Sequence, residues 1–117
     1  MKTILSIFLV LFVFTINAQD KTSKTQIVKI KTSAVCEMCK ERLEEKLNYT
    51  KGVVYAELDL ETKIVTVKYK TKTISDYQIH QVISNTGYHA GEMPRNETAF
   101  NNLPGCCRDK NATCTKH

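Results

Sequence analysis

The sequence has no block of like charges, no internal repeat and no low-complexity tract. Its 17 lysines and arginines are interspersed with 12 aspartates and glutamates, for a net charge of +5 at pH 7. Mixing of this kind describes an ordinary solvated surface and argues against a nucleic-acid partner, which would select a basic face. The apolar run over residues 4–16 is broken by Ser6 and Thr15 and falls well short of the about 20 residues that span a bilayer. No cysteine follows that run until Cys36, which disfavours a lipid-anchored start. The long middle of the chain, between Cys39 and Cys106, also holds no cysteine, whereas a disulfide framework spreads its cysteines along the sequence.

The first residues read as a targeting signal. Lys2 supplies the positive start, the apolar run follows, and Ala18 offers a small residue before the polar Gln19-Asp20. Residues 1–18 are therefore expected to be a secretory signal peptide, placing the mature protein in a periplasm or outside the cell, with no membrane attachment after cleavage. About 99 residues would remain, enough for one small core. They divide into a polar leader at 19–24, a domain at 25–93 and an extension at 94–117.

Within the domain the hydrophobic period switches several times. Residues 26–32 alternate, with Val28 and Ile30 on one face, and predict a strand. From Cys39, Leu43 and Leu47 recur at helical spacing among charged neighbours, so residues 40–47 predict an amphipathic helix that ends near Asn48. Val54, Ala56, Leu58 and Leu60 alternate in a second strand, and Val65, Val67 and Tyr69 in a third, joined by a short turn at 61–63. Ser75-x-x-Gln78 has capping-box spacing and opens a second helix with Ile79, Val82 and Ile83 on its apolar side. Gly87 stops that helix, and residues 88–93 carry a weak signal for a fourth strand. This order predicts an α+β, ferredoxin-like β-α-β-β-α-β sandwich: a four-stranded antiparallel sheet with two helices on one face, followed by a Cys-containing C-terminal extension.

Cys36-Glu37-Met38-Cys39 sits between the first strand and the first helix. Unpaired N–H groups and the dipole at a helix start favour thiolate over thiol. Two thiolates there select soft ions over hard ones. The pair suits a near-linear ion, Cu(I) first and Hg(II) next, and leaves one side open to a partner's thiol. Zn(II), which takes four ligands, is held less well by two cysteines. Glu37 opposes ionisation of the thiols, while Lys40 and Arg42 favour it.

Several features together resemble the heavy-metal-associated domain family: the Cys36-x-x-Cys39 pair after the first strand, Gly52-Val53-Val54 opening the second, Val65-Thr66-Val67 in the third, and Asn85-Thr86-Gly87-Tyr88 after the second helix. The resemblance covers roughly residues 25–92. It implies a non-enzymatic, monomeric metal-binding protein that hands its ion to a metal transporter or another thiol-bearing protein, with Tyr88 as a wall of the metal loop. The chain departs from the family in two places. Ser33-Ala34-Val35 stands where the family has Gly-Met-x, leaving a volume under the loop for Met38 or the extension to fill. The chain also continues past the expected fourth strand with a second group of cysteines.

In that extension, Cys106 and Cys107 are too close in sequence to bridge each other readily and need outside partners, a metal or a distant cysteine. They are further candidate metal ligands beside Cys36 and Cys39. The fourth strand is expected to end at the pole opposite the metal loop. A helix of about ten residues through Ala99, Phe100 and Leu103 would then bring Cys106-Cys107 back. Cys114 and His117 form a weaker candidate pair, and His80 and His89 are read as surface residues. Asn48, Asn96 and Asn111 each begin a glycosylation sequon. Two competing functions remain open at this point: a thiol-disulfide redox protein using Cys36 and Cys39, and a structural module whose cysteines only staple its tail.

Overall fold

The alternating segments form a small antiparallel sheet. The computed structural model describes residues 24–109. The first strand, β1 (Thr25–Lys31), leads to α1 (Glu37–Asn48); β2 (Val53–Asp59) and β3 (Ile64–Lys70) follow, then α2 (Asp76–Thr86) and two short helices, α3 (Glu97–Asn101) and α4 (Gly105–Arg108). The strand order is β1-β3-β2, with both neighbouring pairs antiparallel. Ile30, Val65, Val67, Ala56 and Leu58 on the sheet pack with Leu43 and Leu47 of α1 and Ile79 and Ile83 of α2 in one buried cluster. Val28 and Val82, expected in the same core, lie partly buried at its margin. Val54, read as inward-facing, is 46% exposed. A register shift between Val53 and Tyr55 breaks the period-two alternation at that point and turns Val54 outward.

As an edge strand, β2 would leave its outer N–H and C=O groups exposed for pairing with another chain. Side chains of α1 cover them. Leu58 N donates to Glu44 Oε2 at 2.8 Å, and Lys40 Nζ donates to Leu58 O at 2.8 Å and to Glu44 Oε2 at 2.6 Å. One turn further on, Ala56 N donates to Asn48 Oδ1 at 2.9 Å while Asn48 Nδ2 donates to Ala56 O at 3.2 Å and to Glu44 O at 2.8 Å. Residues 40, 44 and 48 share one helix face at i, i+4 and i+8, so this polar stripe of α1 is part of the sheet edge. The Asn48 amide is fully used there, and Asn96 Oδ1 accepts from Ala99 N at 2.9 Å as the cap of α3.

The expected fourth strand is reduced to a single bridge between Thr32 and Ala90, so among the described residues the sheet has three strands. After one further bond, Gly91 N to Lys31 O at 2.8 Å, the chain reverses: Ala90 N and Met93 O pair at 3.0 Å, and Met93 N and Ala90 O at 2.9 Å. Gly91, at φ 60°, accommodates this reversal, and Pro94, which has no N–H, follows it. The chain thus never travels to the far pole. It returns along α2, where Ser84 Oγ donates to Pro94 O at 2.7 Å and Asn96 N to Ser84 O at 3.0 Å. A long return helix is unnecessary, and the expected ten-residue helix is instead the five residues of α3 and the four of α4, separated by Asn102-Leu103-Pro104.

Both Leu47 and Ile79 are completely buried. Leu47→Ala or Ile79→Ala is expected to cost about 2–5 kcal/mol in denaturant unfolding, the range for large-to-small changes in a closed core. A loss below about 1 kcal/mol at either position would contradict this packing.

Candidate metal centre

The loop before Cys36 is fixed by hydrogen bonds, two of them to segments distant in sequence. Thr32 Oγ1 donates to Lys63 O at 2.9 Å and accepts from Ala34 N at 3.2 Å, while Ser33 Oγ accepts from His89 N at 2.9 Å. His89 Nδ1 accepts in turn from Arg95 N at 3.2 Å. His89 is therefore a half-buried brace between the loop and the extension, not the surface residue expected from sequence. Ala34 is fully buried, in the same apolar cluster as Leu103, Cys106 and Cys107, with Met38 packed against it.

Cys36 is the N-cap of α1, and Cys39 lies in its first turn. Their sulfurs are 3.2 Å apart. Cys36 is partly exposed, whereas Cys39 is fully buried. The extension brings a third thiol: Cys107 Sγ stands 3.7 Å from Cys36 Sγ, across 71 positions of sequence. Cys106 Sγ also falls in a group with Cys36 and Cys107 whose sulfurs all lie within 4.8 Å of one another. Cys106 is disulfide-bonded, however, so its sulfur is not a thiolate donor, and it packs 3.7 Å from Met38 Sδ. The thiols of the cluster are Cys36, Cys39 and Cys107. Cys114 and His117 lie outside the described residues, as does the 1–18 segment. His80, whose Nδ1 lies 2.7 Å from Asp76 Oδ1, is not among the residues of the cluster.

Ionisation is unequal across the cluster. Burial raises Cys39, but hydrogen bonding from the Tyr88 hydroxyl, the Val35 backbone and the two neighbouring thiols outweighs it, so Cys39 is the thiol lowered below its ordinary value. Burial raises Cys36, and the hydrogen bond and charge of Cys39 raise it further. Burial followed by the same Cys39 contacts pushes Cys107 up to about 12. Residues 37, 40 and 42, singled out in the sequence, do not drive these shifts; Lys40 is turned away to Glu44 and Leu58. Tyr88 is 1% exposed, and its hydroxyl has no partner at ordinary hydrogen-bond geometry while lying close enough to Cys39 and Cys107 to influence both.

These shifts give the reduced, metal-free protein an alkaline weakness. An unfolded thiol ionises near about pH 8.5. Cys107, held protonated to about 12, contributes stability that is fully present below the unfolded value and lost as pH rises through the folded one. Cys36 and Tyr88, also raised, act in the same direction. Denaturant midpoints under reductant should fall as pH rises from 9 toward 12 on the scale of about one thiol ionisation, and Cys107→Ser should make that fall shallower. An unchanged slope in the variant would mean that Cys107 is not buried as described.

The profile of the family described as "Heavy-metal-associated domain" matches residues 30–89. Copper-transporting ATPase 2 of Rattus norvegicus is 35% identical over 82 residues, which cover 69% of this chain and 6% of that protein. The chain therefore spans a small fraction of the length of the curated relatives it matches. Among solved structures, a CopZ metallochaperone superposes with a TM-score of 0.53 at 27% identity, covering 56% of this chain and 98% of that one. Oxidized MerP from Ralstonia metallidurans superposes at 0.56 with 19% identity, covering 58% and 96%, and shares the fold. With the paired cysteines at the start of α1 and the profile running from β1 to the residue after Tyr88, this chain belongs to the heavy-metal-associated domain family.

Proposed function

We propose that the protein holds a soft metal ion, Cu(I) or a chemically similar ion such as Hg(II), between Cys36 and Cys39, and passes it by ligand exchange to a thiol-bearing partner such as a membrane metal transporter. The observation that carries this reading is the pair of sulfurs 3.2 Å apart at the start of α1. One is buried and inclined to ionise, and the other is open to solvent. Soft thiolates match soft cations. The solvent-facing Cys36 is the side from which an ion enters and from which a partner's thiolate replaces a ligand. Family membership supports the same chemistry, and residues 1–18 support export. Among the described residues no helix is long and apolar enough to cross a membrane.

The redox reading fits the same pair less well. Attack on a disulfide needs an accessible thiolate. Here the accessible thiol, Cys36, is raised, and the lowered one, Cys39, is completely buried.

Native mass spectrometry of the protein recovered from its own host tests the proposal. The expected mass begins at Gln19 and carries one soft ion, which reduced protein also takes up as Cu(I) in vitro. Uptake should weaken as pH falls, because protons compete for the thiolates. Cys36→Ser combined with Cys39→Ser should abolish tight binding while leaving the circular dichroism unchanged. Full affinity in that double variant would overturn the assignment.

A further inference from the structure

The two-cysteine site leaves Cys107 unexplained. Its side chain is 3% exposed, yet it packs against sulfurs and not in a purely apolar seat. Beside it the Tyr88 hydroxyl is buried without a partner of ordinary geometry, a costly arrangement unless something completes it. Around Cys39 stand Cys36, Cys107, the Val35 backbone and Tyr88, so three thiols and one phenol converge on one point. Cys106, its neighbour in sequence, is excluded from this role by its disulfide.

We propose that Cys107 is a third sulfur ligand of the same ion, so that the C-terminal extension closes a three-thiolate centre over the Cys36-x-x-Cys39 pair. The inference rests on the metal-binding reading above. Sulfur spacing supports it. With metal–sulfur bonds of about 2.3 Å, a linear two-coordinate ion holds its sulfurs about 4.6 Å apart, and a trigonal one about 4.0 Å apart. Cys36 and Cys107 are already 3.7 Å apart, and the 3.2 Å between Cys36 and Cys39 must open less for the trigonal arrangement than for the linear one. The Tyr88 hydroxyl is then placed to donate to a bound thiolate, which would complete its hydrogen bonding.

On loading, the Cys107 Sγ–H bond breaks, its proton goes to solvent, and Sγ bonds the ion. On delivery that Sγ–ion bond breaks, the sulfur regains a proton from solvent, and a partner's thiolate takes the vacated position. The extension is therefore a retention arm, and lifting it is the first step of transfer. Its seat is short: Leu103, Phe100 and Ala99 lie against Gly87, and Cys107 N donates to Pro104 O at 2.9 Å.

Metal K-edge absorption on the full chain, with Cys36, Cys39 and Cys107 as thiols and the Cys106 disulfide intact, loaded with one equivalent of Cu(I) tests this, alongside the rate of Cu(I) loss to a competing chelator. Wild type should show three sulfur neighbours, and Cys107→Ser two. Release from the variant should be at least about tenfold faster, the lower end of what losing even an outer partner of a metal site costs. Cys107→Ala, which keeps a small apolar group in the seat, should behave as Cys107→Ser does and guards against a folding defect in one variant. Two sulfurs and equal release rates in all three proteins would overturn the third ligand while leaving the two-cysteine site intact. Three sulfurs in all three proteins would also overturn it, by assigning the third ligand elsewhere. No bound Cu(I) in wild type would instead overturn the metal-binding reading on which it rests.

Discussion

Gly87 is where helix termination, core packing and the thiol cluster meet. Its φ of 111° lets α2 stop in the left-handed conformation, with Gly87 N bonded to Ser84 O and Tyr88 N to Ile83 O. That stop delivers Tyr88 directly to Cys39. The missing side chain also leaves room for the extension: a Cβ on Gly87 would lie 3.1 Å from Phe100 N and from Leu103 Cδ1, and 3.2 Å from Ala99 C. Four residues after Leu103 comes Cys107. One residue without a Cβ therefore sets both the phenol and the third thiol against the metal loop, and Arg95 stacked 3.3 Å above the Phe100 ring steadies the turn into α3.

The thiols are tuned by hydrogen bonds more than by formal charge. A helix start would ordinarily favour thiolate at both cysteines, yet burial and mutual repulsion hold back Cys36 and Cys107, and only Cys39 is lowered. One lowered thiol beside two raised ones is an arrangement that binding of a cation would favour, since the ligands must lose their protons when an ion binds. The charged face of α1 has a different task. Lys40, Glu44 and Asn48 close the edge of β2, which protects the sheet and holds α1, and hence Cys39, at a set depth.

Local rules explain what could be read in the sequence. Period-two alternation placed β1 and β3. The Ser75-Gln78 capping box formed as written, with Gln78 N donating to Ser75 Oγ at 3.1 Å and Ser75 N to Gln78 Oε1 at 2.9 Å. Cys36 at the cap and Cys39 in the first turn followed from the junction of the two periods. Four features depended on partners distant in sequence. The bulge that exposes Val54 is a matter of register with β3, which alternation alone does not encode. The fourth strand was lost because Gly91 and Pro94 permit a reversal, which single-residue signals mark only as a weak strand. The role of residues 40, 44 and 48 as edge partners looked like ordinary amphipathic solvation, because the same polar residues serve either purpose. The position of Cys107 was open in sequence for the same reason: it depends on how far the chain has travelled before α3 begins.

The central claim is that the ion is held by Cys36, Cys39 and Cys107 together, with Cys106 close by but outside the ligand set. The most direct measurement is NMR of the full chain, with its Cys106 disulfide intact and Cys36, Cys39 and Cys107 as thiols, loaded with spin-active cadmium, a soft ion whose scalar couplings to cysteine Cβ protons name its ligands individually. The account predicts couplings to Cys36, Cys39 and Cys107 and none to Cys106. Couplings confined to Cys36 and Cys39, or any coupling to Cys106, would contradict it.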